Sequence, residues 1–320
     1  MKEKRDDKKK YFIITIDTEG DDLWEWKEGM PITTENAKYL PRFQALCDEY
    51  NFKPTWLCNW EMANDSGFVE FTKKNLKNQK CEVGMHLHAW NTPPEYELMQ
   101  DEKSGNPYLT EYPKDIMQEK ISEMTRLITE RFGVKPMVHR AGRWAMNDVY
   151  FQLLKEEGYI ADCSITPFIN WEKSVGRTPG FKGPDYRYER SEVSDRAGII
   201  EVPVSTLWSR KMFIKAHFNK EGIRKEMEHG RKGRTLWLRP TGRNLHEMMY
   251  LIRQKRRSLT ENYLMFMLHS SELMPGGSPN FRSIESIEKL YQHLRIIFKE
   301  ISKYYQGVGL EEYIHILENK

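Results

Sequence analysis

Residues 82–94 read EVGMHLHAWNTPP. A short apolar run ends on two histidines two residues apart, His86 and His88, and a Trp-Asn-Thr-Pro-Pro tail follows. Val83, Met85 and Leu87 alternate with Gly84, His86 and His88. A strand here therefore turns its imidazoles to one face and its large apolar side chains to the other. Two ring nitrogens on one face, with Cα atoms about 6–7 Å apart, can converge on one ion. A lone His-x-His is a weak metal signal, so its weight depends on what the neighbouring strands place beside it.

Upstream, YFIITIDTEG (11–20) reads as a buried strand. Thr15, Asp17 and Glu19 share one of its faces and Ile14 and Ile16 the other. Two imidazoles with one carboxylate, positions left open, form a recognised catalytic zinc or iron set. Asp21 and Asp22 are further acidic candidates from the following loop. Between these strands, KPTWLCN (53–59) predicts another strand. Helices are predicted over 33–51, capped at Thr33 or Thr34, and from Ser66.

Downstream, a helix is expected over 114–133, stopping at Gly133. Strand KPMVHRAGRW (135–144) then brings His139, Arg140 and Arg143. A helix over 147–159 and strands IADCSI (160–165) and GIIEVPVS (198–205) follow. Helices over 219–233 and 244–258 precede NYLMFMLH (262–269), which ends at His269, and a last long helix covers 283–305. Strand and helix alternate about seven times without a composition break. This predicts one α/β domain over 11–320 with a mostly parallel sheet, behind a charged tail at 1–10. In such sheets the ligand groups sit where strands end, and polar residues here gather at four strand ends. Loops 91–113 and 167–195 are too long to be simple connections.

Composition narrows the function classes. A net charge of +3 over 320 residues is too balanced for a nucleic-acid binder. Cys47, Cys58, Cys81 and Cys163 show no CxxC and are expected to be reduced and buried, as in the cytoplasm. The N-terminal charges are followed by no apolar stretch long enough for a signal or a membrane span. Nine tryptophans, among them Trp24, Trp26, Trp90 and Trp144 beside the motifs, fit a groove for sugars as well as a core.

Taken in order, these segments resemble the polysaccharide deacetylase family, the carbohydrate esterases with a NodB homology domain. ITIDTEGDD resembles its first motif, EVGMHLHAW its second, HRAGRW its third, DCSITP and EVPVS its fourth region, and LMFMLHSSE its fifth. The strings H-x-H-x-W-N-T-P-P and H-S-S-E-L-x-P-G-G resemble the branch associated with lipopolysaccharide and capsule biosynthesis. The resemblance spans about residues 11–275. It implies a deformed (β/α) barrel of about seven mostly parallel strands. It further implies Asp17 as base, Arg140 orienting that base, His269 as acid, and Glu19, His86 and His88 holding a divalent metal ion, zinc by ligand type. Two departures stand out. Trp90 occupies the place of the usual second histidine, so His88 substitutes, and Thr18 rather than a second Asp follows Asp17.

The expected reaction is removal of an N-acetyl or O-acetyl group from a sugar or a cell-surface polysaccharide precursor, with Trp90, Trp144 and Arg143 contacting substrate. The basic clusters GRKGR (230–234) and RQKRR (253–257) read first as solvated helix faces. Their alternative is peripheral contact with a lipid-linked glycan. Two other functions fit the sequence: a metal-independent glycoside hydrolase pairing Asp17 or Glu19 with Glu201 or Glu272, and a catalytically altered carbohydrate-binding protein on the same fold.

Overall fold

In the computed structural model, residues 9–27, 29–213 and 219–319 are described; the expected tail over 1–10 lies almost wholly outside them. A nine-stranded sheet forms the frame. Its strands are β1 (Tyr11–Thr18), β2 (Pro54–Cys58), β3 (Glu82–Leu87), β4 (Val138–Ala141), β5 (Ala161–Asp162), β6 (Ser194–Arg196), β7 (Ile199–Glu201), β10 (Tyr263–His269) and β11 (Gln306–Val308). They follow the order β10-β1-β2-β3-β4-β5-β7-β6, with β11 also pairing β1. Every pairing is parallel except β6–β7. The sheet curls into an incomplete barrel. Its gap is bridged without a regular ladder: Ser205 N donates to Met265 O (3.3 Å) and Met265 N to Ser205 Oγ (2.9 Å). Pro203 lacks the N–H a continuous strand needs there. A hairpin of β8 (Thr206–Ser209) and β9 (Arg234–Trp237) lies beside the gap, and Leu238 joins it to Met267.

Period-two alternation divides the chain into two cores. Phe12, Ile14, Ile16, Trp56, Met85, Phe266 and Leu268 face outward into the layer of helices. Tyr11, Ile13, Leu57, Val138, Ala161, Cys163, Met265 and Met267 fill the barrel. The helices are α1 (Leu40–Glu49), α2 (Trp60–Asn64), α3 (Ser66–Lys77), α4 (Lys114–Phe132), α5 (Asp148–Glu157), α6 (Lys220–Lys232), α7 (Leu245–Arg257), α8 (Ile284–Ile301) and α9 (Leu310–Glu318). Side chains cap α3 and α5: Asp65 Oδ1 accepts from Phe68 N (2.7 Å) and Asn147 Oδ1 from Tyr150 N (2.8 Å). Glycines at positive φ end α4 and α5, Gly133 at 76° and Gly158 at 95°.

Several expectations are corrected. The region expected as one helix over 33–51 is a 3₁₀ turn, Glu35–Tyr39, followed by α1. The strand expected over 135–144 ends at Ala141 because Arg143 and Trp144 take left-handed backbone. The mostly parallel, curled sheet is as expected, whereas α2, β6, the β8–β9 hairpin, β11 and α9 were not expected. α9 closes the bottom of the barrel on a cap from distant strands: Glu82 accepts from Glu311 N and Glu312 N (2.9 and 3.0 Å), and Thr55 Oγ1 from Leu310 N. The four cysteines are free and buried, as expected. Among the described residues no helix is long and apolar enough to cross a membrane.

Candidate active site

The parallel register aligns the strand ends. Asp17 pairs with His269 on one side and Leu57 on the other, and His86 pairs with Arg140. Glu19, just beyond β1, is fixed through its backbone. Its N–H donates to Ser270 Oγ (3.0 Å), and its carbonyl accepts from Asn36 Nδ2 (2.9 Å) and Ser270 Oγ (3.1 Å). Its carboxylate then meets both imidazoles, at 3.4 Å from His86 Nε2 and 3.2 Å from His88 Nε2. The two Nε2 atoms are 2.9 Å apart. Glu19, His86 and His88 form a group of metal-capable side chains whose ligand atoms all lie within 4.8 Å of one another.

The donor set suits a divalent cation. His86 Nδ1–H donates to the Arg140 carbonyl (3.0 Å), which turns Nε2 toward Glu19 and His88. Burial lowers the His86 pKa, but Asp17 and Glu19 outweigh it and raise it, so a positive charge is favoured at this spot. Two nitrogen lone pairs and a carboxylate crowded together in the interior repel unless a proton or a cation lies among them. Burial pushes the His88 pKa down, so this imidazole is neutral, as a ligand must be. Burial alone would raise the Glu19 pKa, yet His269 and the two histidines outweigh it and keep the group ionised. Asp21 plays a different part: its carboxylate accepts from Thr33 Oγ1, Glu35 N and Asn36 N (2.7, 2.8 and 2.9 Å) and caps the 3₁₀ turn. Neither Asp21 nor Asp22 joins the converging group.

Beside this group, Arg140 Nη1 contacts Asp17 Oδ1 at 2.5 Å, with both side chains buried. Arg140 is held in turn by Thr15 Oγ1 (2.8 Å) and the Cys163 carbonyl (3.1 Å). Burial would raise the Asp17 pKa, but Arg140, with His86 and His269, holds it below the usual range. His269 Nε2 lies 3.7 Å from Asp17 Oδ2 and 3.9 Å from Glu19 Oε1. Its Nδ1 is 3.1 Å from Glu272 Oε2, and Arg239 bonds both oxygens of Glu272 at 3.2 Å. Glu272 is ionised, its pKa pulled to about 2: burial opposes this, but Arg239 and His269 prevail. Sequence reasoning had left the partner of His269 unnamed. The signal was the spacing in HSSEL, where an acid three residues after His269 also accepts from the His269 backbone N–H (3.1 Å). Nothing in the sequence marked Arg239.

Asp17, Glu19, His86, His88 and His269 line one pocket of about 220 Å³, walled by Leu23, Trp24, Trp90, Asn106, Tyr108, Arg143, Trp144, Trp171 and Ser174. Trp90 packs on His88 (ring centroids 4.4 Å) and Trp26 stacks on Trp90 (6.2 Å). Trp24 meets His269 edge-on (4.9 Å), and Trp144 stacks on Trp171 (6.2 Å). Asn106, Tyr108, Trp171 and Ser174 come from the two loops that are too long to be simple connections.

Alternation removes two polar residues from this site. His139 and Glu201 share the outer face of the sheet with Asp162, away from the pocket. His139 Nδ1 bonds Asp162 Oδ1 (2.6 Å) and Nε2 bonds Tyr150 Oη (2.7 Å). Burial beside Asp162 drives the Glu201 pKa well up, so Glu201 is protonated. The carboxylate pairing with Glu201 is therefore corrected: its side chain points into the helix layer. Pairing with Glu272 fares no better, because that carboxylate is bonded to His269 and Arg239.

No family model matches the sequence, and no curated protein matches it. Comparison with solved structures does find relatives of the fold. A Mycobacterium smegmatis structure assigned to the polysaccharide deacetylases superposes with a TM-score of 0.53 at 14% identity, covering 98% of this chain and 92% of that one. The chain has a polysaccharide-deacetylase fold. A 4-α-glucanotransferase of Thermococcus litoralis reaches the same TM-score at 12% identity, with 96% of this chain and 40% of that one covered. The Xyl-CE4 domain of a multidomain xylanase from the hindgut metagenome of Trinervitermes trinervoides matches over 97% of this chain and 92% of its own at 10% identity and a TM-score of 0.47. One architecture thus carries deacetylase-assigned and glucanotransferase chains, and function has to be argued from the site.

Proposed function

We propose that the protein is a metal-dependent deacetylase that removes an N-acetyl group from a sugar of a polysaccharide or its precursor. The observation that carries this is the convergence of Glu19, His86 and His88 beside an Arg140-held Asp17 and a Glu272-held His269. Glu19, His86 and His88 would hold a divalent ion, with zinc the best match to two nitrogens and one oxygen. Bound there, such an ion supplies Lewis acidity to the acyl carbonyl and acidifies a water. Asp17, ionised through Arg140, takes the proton of the attacking water. His269, oriented through Nδ1 by Glu272, passes a proton from Nε2 to the departing amine. Trp24, Trp90, Trp144 and Trp171 give the pocket an aromatic wall suited to sugar C–H groups. The Trp90 indole N–H is buried with no acceptor among the described residues, which provides a donor for a sugar oxygen.

The glycoside hydrolase reading loses its support once Glu201 and Glu272 are otherwise engaged. Metal content of the protein as purified, and of His86→Ala, tests the site: about one equivalent of zinc in the first and little in the second is expected. Acetate release from N-acetylated oligosaccharides should fall about 10²- to 10⁴-fold in Asp17→Asn. Undiminished release in that variant defeats the base assignment. Absence of metal in both proteins defeats the metal-dependent reading.

A further inference from the structure

Among the described residues, the turn after β4 presents a cation, Arg143, that forms no ion pair with a carboxylate. Gly142 packs so closely on His88 that a Cβ there would overlap the imidazole and lie 2.5 Å from the Leu87 carbonyl oxygen. The next two residues, Arg143 (φ 57°) and Trp144 (φ 68°), both adopt left-handed backbone. That conformation costs non-glycine residues on the order of 1 kcal/mol each and persists at functional sites where the surroundings enforce it. The turn aims both side chains at the pocket wall. The Arg143 guanidinium lies 3.9 Å from the Tyr108 ring centroid. It donates to Val175 O (2.8 Å) and, through Nη1, to Asn106 O. These bonds engage two of its five N–H groups. Burial lowers its pKa, with Tyr108 and Glu111 opposing. Glu111 contributes charge at a distance but forms no ion pair with Arg143; its oxygens accept from the backbone N–H groups of Tyr108, Arg177 and Thr178 (2.6, 3.1 and 2.6 Å).

The other charged groups lining the pocket are matched: Asp17 by Arg140, Glu19 by His86 and His88, and His269 by Glu272. A half-buried guanidinium with open donors and no ion-pair partner among the described residues favours an anion beside it. Its planar fork matches carboxylate and phosphate oxygens.

From this mismatch we propose that the sugar taken by the pocket is acidic: an N-acetylated glycan whose carboxylate or phosphate engages Arg143. The inference rests on the deacetylase reading only for placing a glycan in this pocket, not for the hydrolysis.

The test compares two matched pairs of probes by calorimetry on the protein as purified. A hyaluronan tetrasaccharide is set against chitotetraose for the carboxylate, and N-acetylglucosamine 1-phosphate against N-acetylglucosamine for the phosphate. At least one acidic probe should bind about tenfold or more tightly than its neutral partner, and which one does so identifies the anion. The advantage should shrink between 50 mM and 500 mM salt, vanish in Arg143→Gln and persist in part in Arg143→Lys. Equal affinities within both pairs, binding of no probe, or an acidic preference that survives in Arg143→Gln overturns the inference. Acetate release measured in parallel separates the two ideas. Release without acidic preference sinks this inference alone, whereas acidic preference without release sinks only the deacetylase reading.

Discussion

The contact between His269 and Glu272 is where a single residue should report most directly on chemistry. Glu272 is buried, ionised and accepts from the His269 Nδ1 edge, away from the pocket. Removing it leaves Nδ1 facing Arg239 (3.0 Å) and the ring without its orienting acceptor. In Glu272→Ala, kcat for acetate release should fall about 10- to 100-fold with KM little changed, since an orienting group acts on the proton transfer rather than on binding. Glu272→Gln, which keeps an oxygen within reach, should lose less. Steady-state kinetics on both variants check this, and an unaltered kcat in Glu272→Ala would show that His269 needs no partner. At the same scale, His86 illustrates how one bond sets a role: its Nδ1–H is committed to the Arg140 carbonyl, so only Nε2 remains to act as a ligand.

At the scale of elements, the alternation of β1, β3 and β10 accounts for most of the site. Residues two apart, Asp17 with Glu19 and His86 with His88, share a face, and the parallel register brings the strand ends level. The shared faces were legible from EVGMHLH and ITIDTEG alone; the level strand ends were not. The same rule, applied to β4, separates His139 from Arg140, although their adjacency in the sequence had grouped them. The turn after β4 was not legible, because it depends on how closely two strands approach. Gly142 is required by the nearness of the Leu87–His88 backbone. Gly142→Ala should therefore push His88 out of line, weakening zinc binding about 10- to 100-fold in competition with a chromophoric chelator. The fold should also lose on the order of 1–3 kcal/mol, read from denaturant unfolding. Unchanged zinc affinity would show that His88 is no ligand.

Across the whole molecule, pH dependence of stability should carry the mark of Glu61 on α2. Its oxygens accept from Asn59 Nδ2 and Asn91 Nδ2, all at 2.7 Å. Burial raises its pKa to about 7 despite these bonds. The folded state therefore binds more protons than the unfolded chain between roughly pH 4.5 and 7. This contribution is fully present below about pH 4.5 and is lost as pH rises through 7. Relative to Glu61→Gln, the wild type should lose on the order of 1–3 kcal/mol between pH 5 and 8. Thermal or urea unfolding at both pH values measures it, and parallel pH profiles for the two proteins would refute the shift.

Taken alone, the sequence determined the alternation of strands and helices, the buried faces of β1, β3 and β10, and the identity of the metal-capable residues, because these depend on local periodicity and residue chemistry. The tertiary structure alone decided that Glu272 and Arg239 serve His269 and that Glu201 faces away from the pocket. It also decided that a helix capped from distant strands closes the bottom of the barrel, and that Arg143 has no ion-pair partner among the described residues. Each of these is a distance between segments far apart in the chain, and periodicity carries no information about such distances.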